Sequence, residues 1–305
     1  MLVWATTPAA KLLHSLHLAH NQPPSQTALS ADLLKIIADA EAAASDACPT
    51  EKFSDAQKGP LYDRAATDGE LLEGGVETLL GAMRASKDAV FADLGSGRGG
   101  AMFRIAAGSE WRHCFGIEFI ESKHAAAEHA LGSLRSSSVL RSPVTFMPGD
   151  IVELDALAAT VVGEPLDSDG GQSSGESGEQ ADTGTTRLSE LTHAFACSVC
   201  FDDFLLRAMA RSLGNRTAFP RFQALVSLRS LPSQPYLTRV GGIALECSWN
   251  AQVTGHVYVP SDVLERDEGD RAVPLLAHCL CEGGVCSLPA PLQPWIAPRY
   301  VRIPR

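Results

Sequence analysis

Residues 90–100 read Val-Phe-Ala-Asp-Leu-Gly-Ser-Gly-Arg-Gly-Gly, and this run constrains the fold more than any other part of the chain. Val90, Phe91 and Ala92 form an apolar strand pattern that ends in the acid Asp93. A turn dense in glycine follows, and Met102-Phe103-Arg104-Ile105-Ala106-Ala107 then reads as a helix. Glycine lets a backbone turn sharply and approach another group closely, because no Cβ intervenes. A helix that opens at such a turn presents unpaired N–H groups and the positive end of its dipole.

The turn admits two readings. Gly95, Gly97 and Gly100 fit the G-x-G-x-x-G dinucleotide fingerprint. Asp93, two residues before the first glycine, is poorly placed for a pyrophosphate and well placed for a cationic amino-acid head. Two further acids follow the same logic. Cys114 to Glu118 reads as a second strand ending in a carboxylate, which can accept hydrogen bonds from ribose hydroxyls. Val144 to Met147 reads as a third strand, followed by Pro148-Gly149-Asp150-Ile151. Ligands of open α/β sheets sit at the carboxyl edge, where all three acids fall. Ser122 to Leu131 is the helix between the second and third strands.

Further along, Ala194 to Ser198 reads as a fourth strand, Asp203 to Leu213 as its helix, and Ala224 to Leu228 as a fifth strand. Gly242 to Trp249 and Gly255 to Val259 form a hairpin-like pair with no helix between them. Alternating strands and helices closed by such a pair imply a mostly parallel sheet with an antiparallel edge. Dinucleotide dehydrogenases repeat the βαβ half instead, so this ending also favours the amino-acid-headed cofactor.

The ordered set Asp68-Gly69-Glu70, Asp93 to Gly99, Gly116-Ile117-Glu118, Gly149-Asp150, Cys200-Phe201-Asp202-Asp203 and Cys247-Ser248-Trp249 resembles the Dot-one (disruptor of telomeric silencing) histone-lysine methyltransferases. The resemblance covers roughly residues 60 to 260, within the class I methyltransferases that use S-adenosylmethionine. It implies a seven-stranded, Rossmann-like α/β sheet, mostly parallel with an antiparallel edge, plus an N-terminal helical region. It implies that Glu70, Asp93, Gly95, Ser96, Gly97, Gly99, Glu118, Asp150 and Ile151 hold the cofactor. Glu70 would cover it from a loop, and Ile151 would cover the adenine. Ser198 falls where the family has an asparagine facing the methyl group, and Trp249 and Tyr258 would line a lysine channel. The chain departs from the family at Asp68, where a tyrosine is usual, and at Ser198-Val199, where Asn-Asn is usual. Without a basic tail, the nucleosome carries over least. A class I methyltransferase acting on a small molecule or a non-histone protein, and a non-catalytic cofactor-binding module, therefore remain alternatives. A nicotinamide-dependent oxidoreductase is a more distant one.

Composition sets outer limits. The 305 residues carry a net charge of −11 and 45% hydrophobic residues. Phosphate-backbone affinity comes mainly from Lys and Arg, so sequence-specific DNA binding is not expected. Arg207, Arg211 and Arg216 form a local basic group that reads as a solvated helix face. The partner implied is a protein substrate, with a histone or nucleosome as the family's case. Neither a membrane-length apolar run nor a basic secretory start is present. The expected location is intracellular: nuclear for a histone substrate, cytoplasmic otherwise.

The expected organisation is a helical accessory region over 1–60, the methyltransferase domain over 61–260, and a Pro/Cys-rich tail over 261–305. In the first region Leu12, Leu13, Leu16 and Leu18 suggest a helix, and Ser30 caps another. Within the domain, 163–187 is expected to be a disordered acidic loop with almost no apolar residue. Cys114, Cys197 and Cys247 read as buried, reduced thiols. Cys279, Cys281 and Cys286 lack a standard zinc spacing, so no metal is expected.

Overall fold

The computed structural model describes residues 29–49, 69–83, 87–159, 161–162 and 186–263. The first leucine helix, Asp68, the interior of the acidic insertion and the cysteine tail lie outside these residues.

Alternation along the strands builds the core. Strand β1 (Val90–Leu94) and β2 (His113–Glu118) are buried along their whole length. This is the pattern of central parallel strands covered on both faces. Phe91 points into one apolar layer, whereas Val90, Ala92 and Leu94 point into the other. β3 (Val144–Pro148), β4 (His193–Ala196), β5 (Ala224–Ser227), β6 (Leu237–Cys247) and β7 (Asn250–Pro260) complete a seven-stranded sheet. Its order is β3-β2-β1-β4-β5-β7-β6. Pairing is parallel from β3 to β5 and antiparallel for β5–β7 and β6–β7. The strand order reverses beside β1, so the ends of β1 and β4 flank the topological switch point where such sheets bind ligands.

Helices α1 (Ala31–Ala47), α2 (Glu73–Met83), α3 (Gly100–Gly108) and α4 (Glu121–Ser136) share one layer. Helix α5 (Asp203–Gly214) lies in the other. Ser30 caps α1, its hydroxyl accepting from Leu33 N at 3.3 Å. Ile37, Ala40 and Ala44 of α1 lie in the same core as Phe103, Leu131 and Phe91. The helix expected in an accessory region is thus an integral part of the domain.

Three expected boundaries shift. The edge hairpin is longer than its apolar pattern, because Leu237, Thr238 and Arg239 on one strand and Asn250, Val253 and Thr254 on the other join the ladder, polar side chains among them. Ser248 and Trp249 then form the turn itself. The insertion ends earlier than expected, since Thr186 and Arg187 pair antiparallel with Val162 and Val161. Strand β4 ends at Ala196, and Ser198–Cys200 is a 3-10 turn. No helix among the described residues is long and apolar enough to cross a membrane.

Helix α2 docks its small residues on the edge strand. A methyl on Gly75 would run into the Glu246 carbonyl oxygen and a Leu71 methyl. Alanine is normally better than glycine within a helix by about 1 kcal/mol. Overpacking against backbone costs ~1–3 kcal/mol. Gly75→Ala is therefore expected to lower the urea midpoint. Gly132→Ala is expected to raise it, because nothing lies within 4 Å of a methyl on Gly132 in α4.

Candidate functional site

The glycine turn is fixed by its neighbour strand. Gly95 N and Ser96 N both donate to Ile117 O, at 2.9 and 3.0 Å. Gly95, Gly97 and Gly99 hold φ of +85°, +57° and +89°, a region that L side chains rarely adopt. A side chain at Gly97 would enter open space, with nothing within 4 Å. No side chain caps the first turn of α3, which starts directly after Gly99. Backbone N–H groups and open volume thus meet at one place.

Glu118 ends β2, and its two oxygens are both held. Oε2 accepts from Gly97 N and Oε1 from Ile120 N, each at 2.7 Å. Each carboxylate oxygen has a second lone pair, so both remain able to accept hydroxyls. Asp93 is treated differently. It is 2% exposed, and its Oδ1 has no hydrogen-bond partner. Burial first, and then the charge of Glu118, push its carboxyl up to about 7. An unpartnered buried carboxylate disfavours its own charge until a cation arrives.

Asp150 follows β3. Its Oδ1 accepts from Val152 N at 2.9 Å and starts the turn Ile151–Glu153. Gly149 N donates to Glu118 O at 3.0 Å, which ties this loop to the end of β2. Ile151 is buried at 6% exposure in the α5-side core. Ser96, also buried, keeps an unpartnered hydroxyl.

Glu70 approaches from outside the sheet. Its Oε1 lies 2.8 Å from where a Cβ on Gly100 would be, at the mouth of α3. The segment carrying it is bonded to the edge hairpin. Ser248 N donates to Glu70 O at 2.8 Å, Glu70 N to Ser248 Oγ at 3.2 Å, and Leu72 N to Glu246 O at 2.9 Å. Trp249, 45% exposed, lays its ring on Gly69, with Cζ3 2.5 Å from the position of a Cβ there. Cys197 Sγ donates to Gly69 O at 3.4 Å from the end of β4. The thiols of Cys48, Cys114, Cys197, Cys200 and Cys247 are free. Burial pushes those of Cys197 and Cys247 up to about 12 and about 11, so neither is a reactive thiolate.

Two expected acceptor-side residues, Ser198 and Tyr258, are buried. Ser198 is fully buried, and its hydroxyl is engaged with Ser227 Oγ at 2.6 Å and Arg229 N at 2.9 Å. It braces the ends of β4 and β5. Tyr258 is 3% exposed and its hydroxyl accepts from Leu231 N at 2.8 Å. Because β7 runs antiparallel, Tyr258 sits opposite Leu225, below the carboxyl edge, while His256 sits opposite Ser227 at that edge. Tyr258 packs in the α5-side core.

Phe201 belongs to the Cys200-Phe201-Asp202-Asp203 motif, which by itself gives it no role. Its ring edge lies 3.1 Å from the Cβ position of Gly95, over the glycine turn. Arg229 holds this loop, donating to Phe201 O and pairing with Asp203 at 2.6 Å. Asp202 caps α5 by accepting from Leu205 N at 2.8 Å. The readable signal was an aromatic just ahead of an N-cap acid at the end of β4.

The family model described as histone methylation protein DOT1 matches residues 63–141. Over this segment the chain is similar to that family. The match spans Glu70, the glycine turn and Glu118, and ends before β3. It does not reach Asp150, Ser198 or Trp249. None of the curated proteins matches the chain in sequence.

Among solved structures, a mutant of MtNAS in complex with S-adenosylmethionine is similar at 10% identity, over 74% of this chain and 72% of that one, with a TM-score of 0.41. TrmK of M. capricolum in complex with S-adenosylhomocysteine is similar at 6% identity, over 70% of each chain, with a TM-score of 0.36. A putative RNA methyltransferase of Pyrococcus horikoshii is similar at 11% identity, over 73% of this chain and 96% of that one, with a TM-score of 0.34.

Asp93 has a testable signature without any ligand. Its folded-state pKa of about 7 lies above the unfolded value of about 3.9. Its contribution to stability is therefore full below pH ~3.9 and is lost as pH rises through about 7. His113 and His193, whose burial lowers them to about 4, act oppositely, losing stability as pH falls from ~6.5 toward 4. Asp93→Asn leaves the histidines in place. The gain in stability of Asp93→Asn over wild type is expected to grow from pH 5 to pH 8 in chemical denaturation.

Proposed function

We propose that the protein transfers a methyl group from S-adenosylmethionine to the side-chain amine of a protein lysine, with a histone as the family's substrate. The observation that carries this reading is the buried, unpartnered Asp93 oxygen beside a turn of three left-handed glycines. That arrangement calls for a cationic amino-acid head, and a buried carboxylate beside the turn disfavours a pyrophosphate, which argues against the dinucleotide alternative.

When bound, S-adenosylmethionine supplies a methyl group activated on a sulfonium. Asp93 would pair with the amino-acid head, gaining the cation that its buried carboxylate lacks. The free lone pairs of Glu118 would take the ribose hydroxyls, and Glu70 would close over the cofactor from the Gly69–Leu72 segment. The cofactor-binding roles of Gly95, Ser96, Gly97, Gly99, Asp150 and Ile151 belong to the same proposal. Methyl transfer is an in-line displacement, so the protein's task is alignment and exclusion of water; alignment contributes ~7–11 kcal/mol. A lysine of ordinary pKa about 10.4 must arrive neutral. Trp249, exposed and stacked on Gly69, would receive the ammonium on its face and help strip its water. With Ser198 and Tyr258 buried, Trp249 is the expected acceptor-side residue that remains at the surface. The acidic net charge of −11 suits a basic protein segment.

A small-molecule or non-histone acceptor is the second reading. It is favoured by the family match ending before the acceptor side. A nuclear location follows only from the histone reading.

The deciding assay offers labelled S-adenosylmethionine with nucleosomes, free histones and a histone-depleted extract in parallel. Label on a histone lysine is the expected result, and label confined to the depleted extract would remove the histone assignment. Asp93→Ala and Glu118→Ala are expected to abolish cofactor binding in calorimetry. Trp249→Ala is expected to lower turnover and also to weaken cofactor binding several-fold, because its ring supports Gly69.

A further inference from the structure

We propose that helix α1 is a working part of the cofactor site: Glu41, acting through Arg104, fixes the position of Glu70. The proposal rests on the methyltransferase reading and assigns Glu41 and Arg104 as positioning residues within it.

Three polar ends converge where Gly100 has no side chain. Glu70 Oε1, Arg104 Nη1 and Glu41 Oε1 lie 2.8, 2.9 and 2.9 Å from the position a Cβ would take. Arg104 Nη2 donates to Glu41 Oε2 at 3.2 Å, and its Nη1 lies 3.6 Å from Glu70 Oε2. The second distance makes an ion pair but not a hydrogen bond. The Arg104 and Glu41 side chains are 14% and 20% exposed, whereas Glu70 is 39% exposed. The inner pair is therefore the anchor, and the outer acid is what it holds. Buried Glu41 Oε1 and Arg104 Nη1 have no hydrogen-bond partner in this arrangement. Desolvation of that kind is a poor way to gain stability, and it raises the carboxyl of Glu41.

Packing alone would not need these polar contacts, since Ile37, Ala40 and Ala44 already bury α1. A second tie points the same way. Arg98, between the left-handed Gly97 and Gly99, donates to Ser45 Oγ at 3.3 Å and Cys48 O at 3.4 Å at the far end of α1. The helix thus touches both the glycine turn and the partner of the covering acid. Removing Arg104 leaves two carboxylates facing each other across Gly100, and mutual repulsion would push the mobile one, Glu70, off the site.

The test is a double-mutant cycle read by calorimetric titration with S-adenosylmethionine. Wild type, Glu41→Gln, Arg104→Ala, Arg104→Lys, Glu70→Ala and the Arg104→Ala/Glu70→Ala double variant are compared. Arg104→Ala and Glu70→Ala are each expected to weaken affinity roughly tenfold, and the double variant no further than the weaker single. Arg104→Lys should recover part of the loss, since it restores charge without the planar fork. Glu41→Gln should weaken binding several-fold while the unfolding midpoint without cofactor stays near wild type. Independent losses that multiply in the double variant, or wild-type affinity in Glu41→Gln and Arg104→Ala, would overturn the proposal. If Arg104→Ala does not fold, the same cycle with Glu41→Gln in place of Arg104→Ala decides it. A wild-type protein that does not bind S-adenosylmethionine would refute the methyltransferase reading itself, and this proposal with it.

Discussion

Two carboxylates at the ends of adjacent parallel strands, Asp93 and Glu118, govern how the carboxyl edge of the sheet is built. Both are nearly excluded from water, and burial first, then the charge of Glu118, raises the cost of charging Asp93. The structure resolves this unequally. Glu118 is held by the N–H groups of Gly97 and Ile120, which is possible only because the glycine turn folds back over β2. Asp93 keeps an oxygen with nothing to bond to. The left-handed glycines, the bonds from Gly95 and Ser96 to Ile117 O, and the placement of α3 can all be read as the scaffold for that inequality.

Around this edge the chain is sewn together across long sequence distances. The Gly69–Leu72 segment precedes the first strand and the Ser248–Trp249 turn joins the last two, yet hydrogen bonds connect them. The covering acid and the exposed tryptophan therefore move as one piece. Phe201, held by the Arg229 contacts, closes the same edge from the β4 side. Hydrogen bonds thus tie the proposed cofactor-side segment directly to the proposed acceptor-side turn.

Much of this was legible in the chain. Continuous apolar runs with an acid at or just past their ends mark β1, β2 and β3, because strands covered on both faces leave few polar choices. The glycine turn, the Ser30 cap and the final hairpin with no helix between its strands are equally plain. What the sequence does not carry is depth and direction. The resemblance points to Tyr258 but not to its depth, and antiparallel β7 carries it away from the edge as the sequence advances. The strand pattern runs through Ser198, whereas β4 ends at Ala196 and a 3-10 turn folds the serine inward. The polar ends of the edge hairpin and the Glu41–Arg104–Glu70 contacts leave no local pattern, since each is created by a partner far away in the chain.

The small ribbon of Val161–Val162 with Thr186–Arg187 has its own consequence. It brings the two ends of the intervening segment to within one strand spacing, roughly 5 Å. Whatever lies between those ends can change in length or content without shifting β4 or the carboxyl edge. The position is thus a natural splice point, where a reporter domain or a tether with closely spaced termini can be inserted while the rest of the sheet keeps its register.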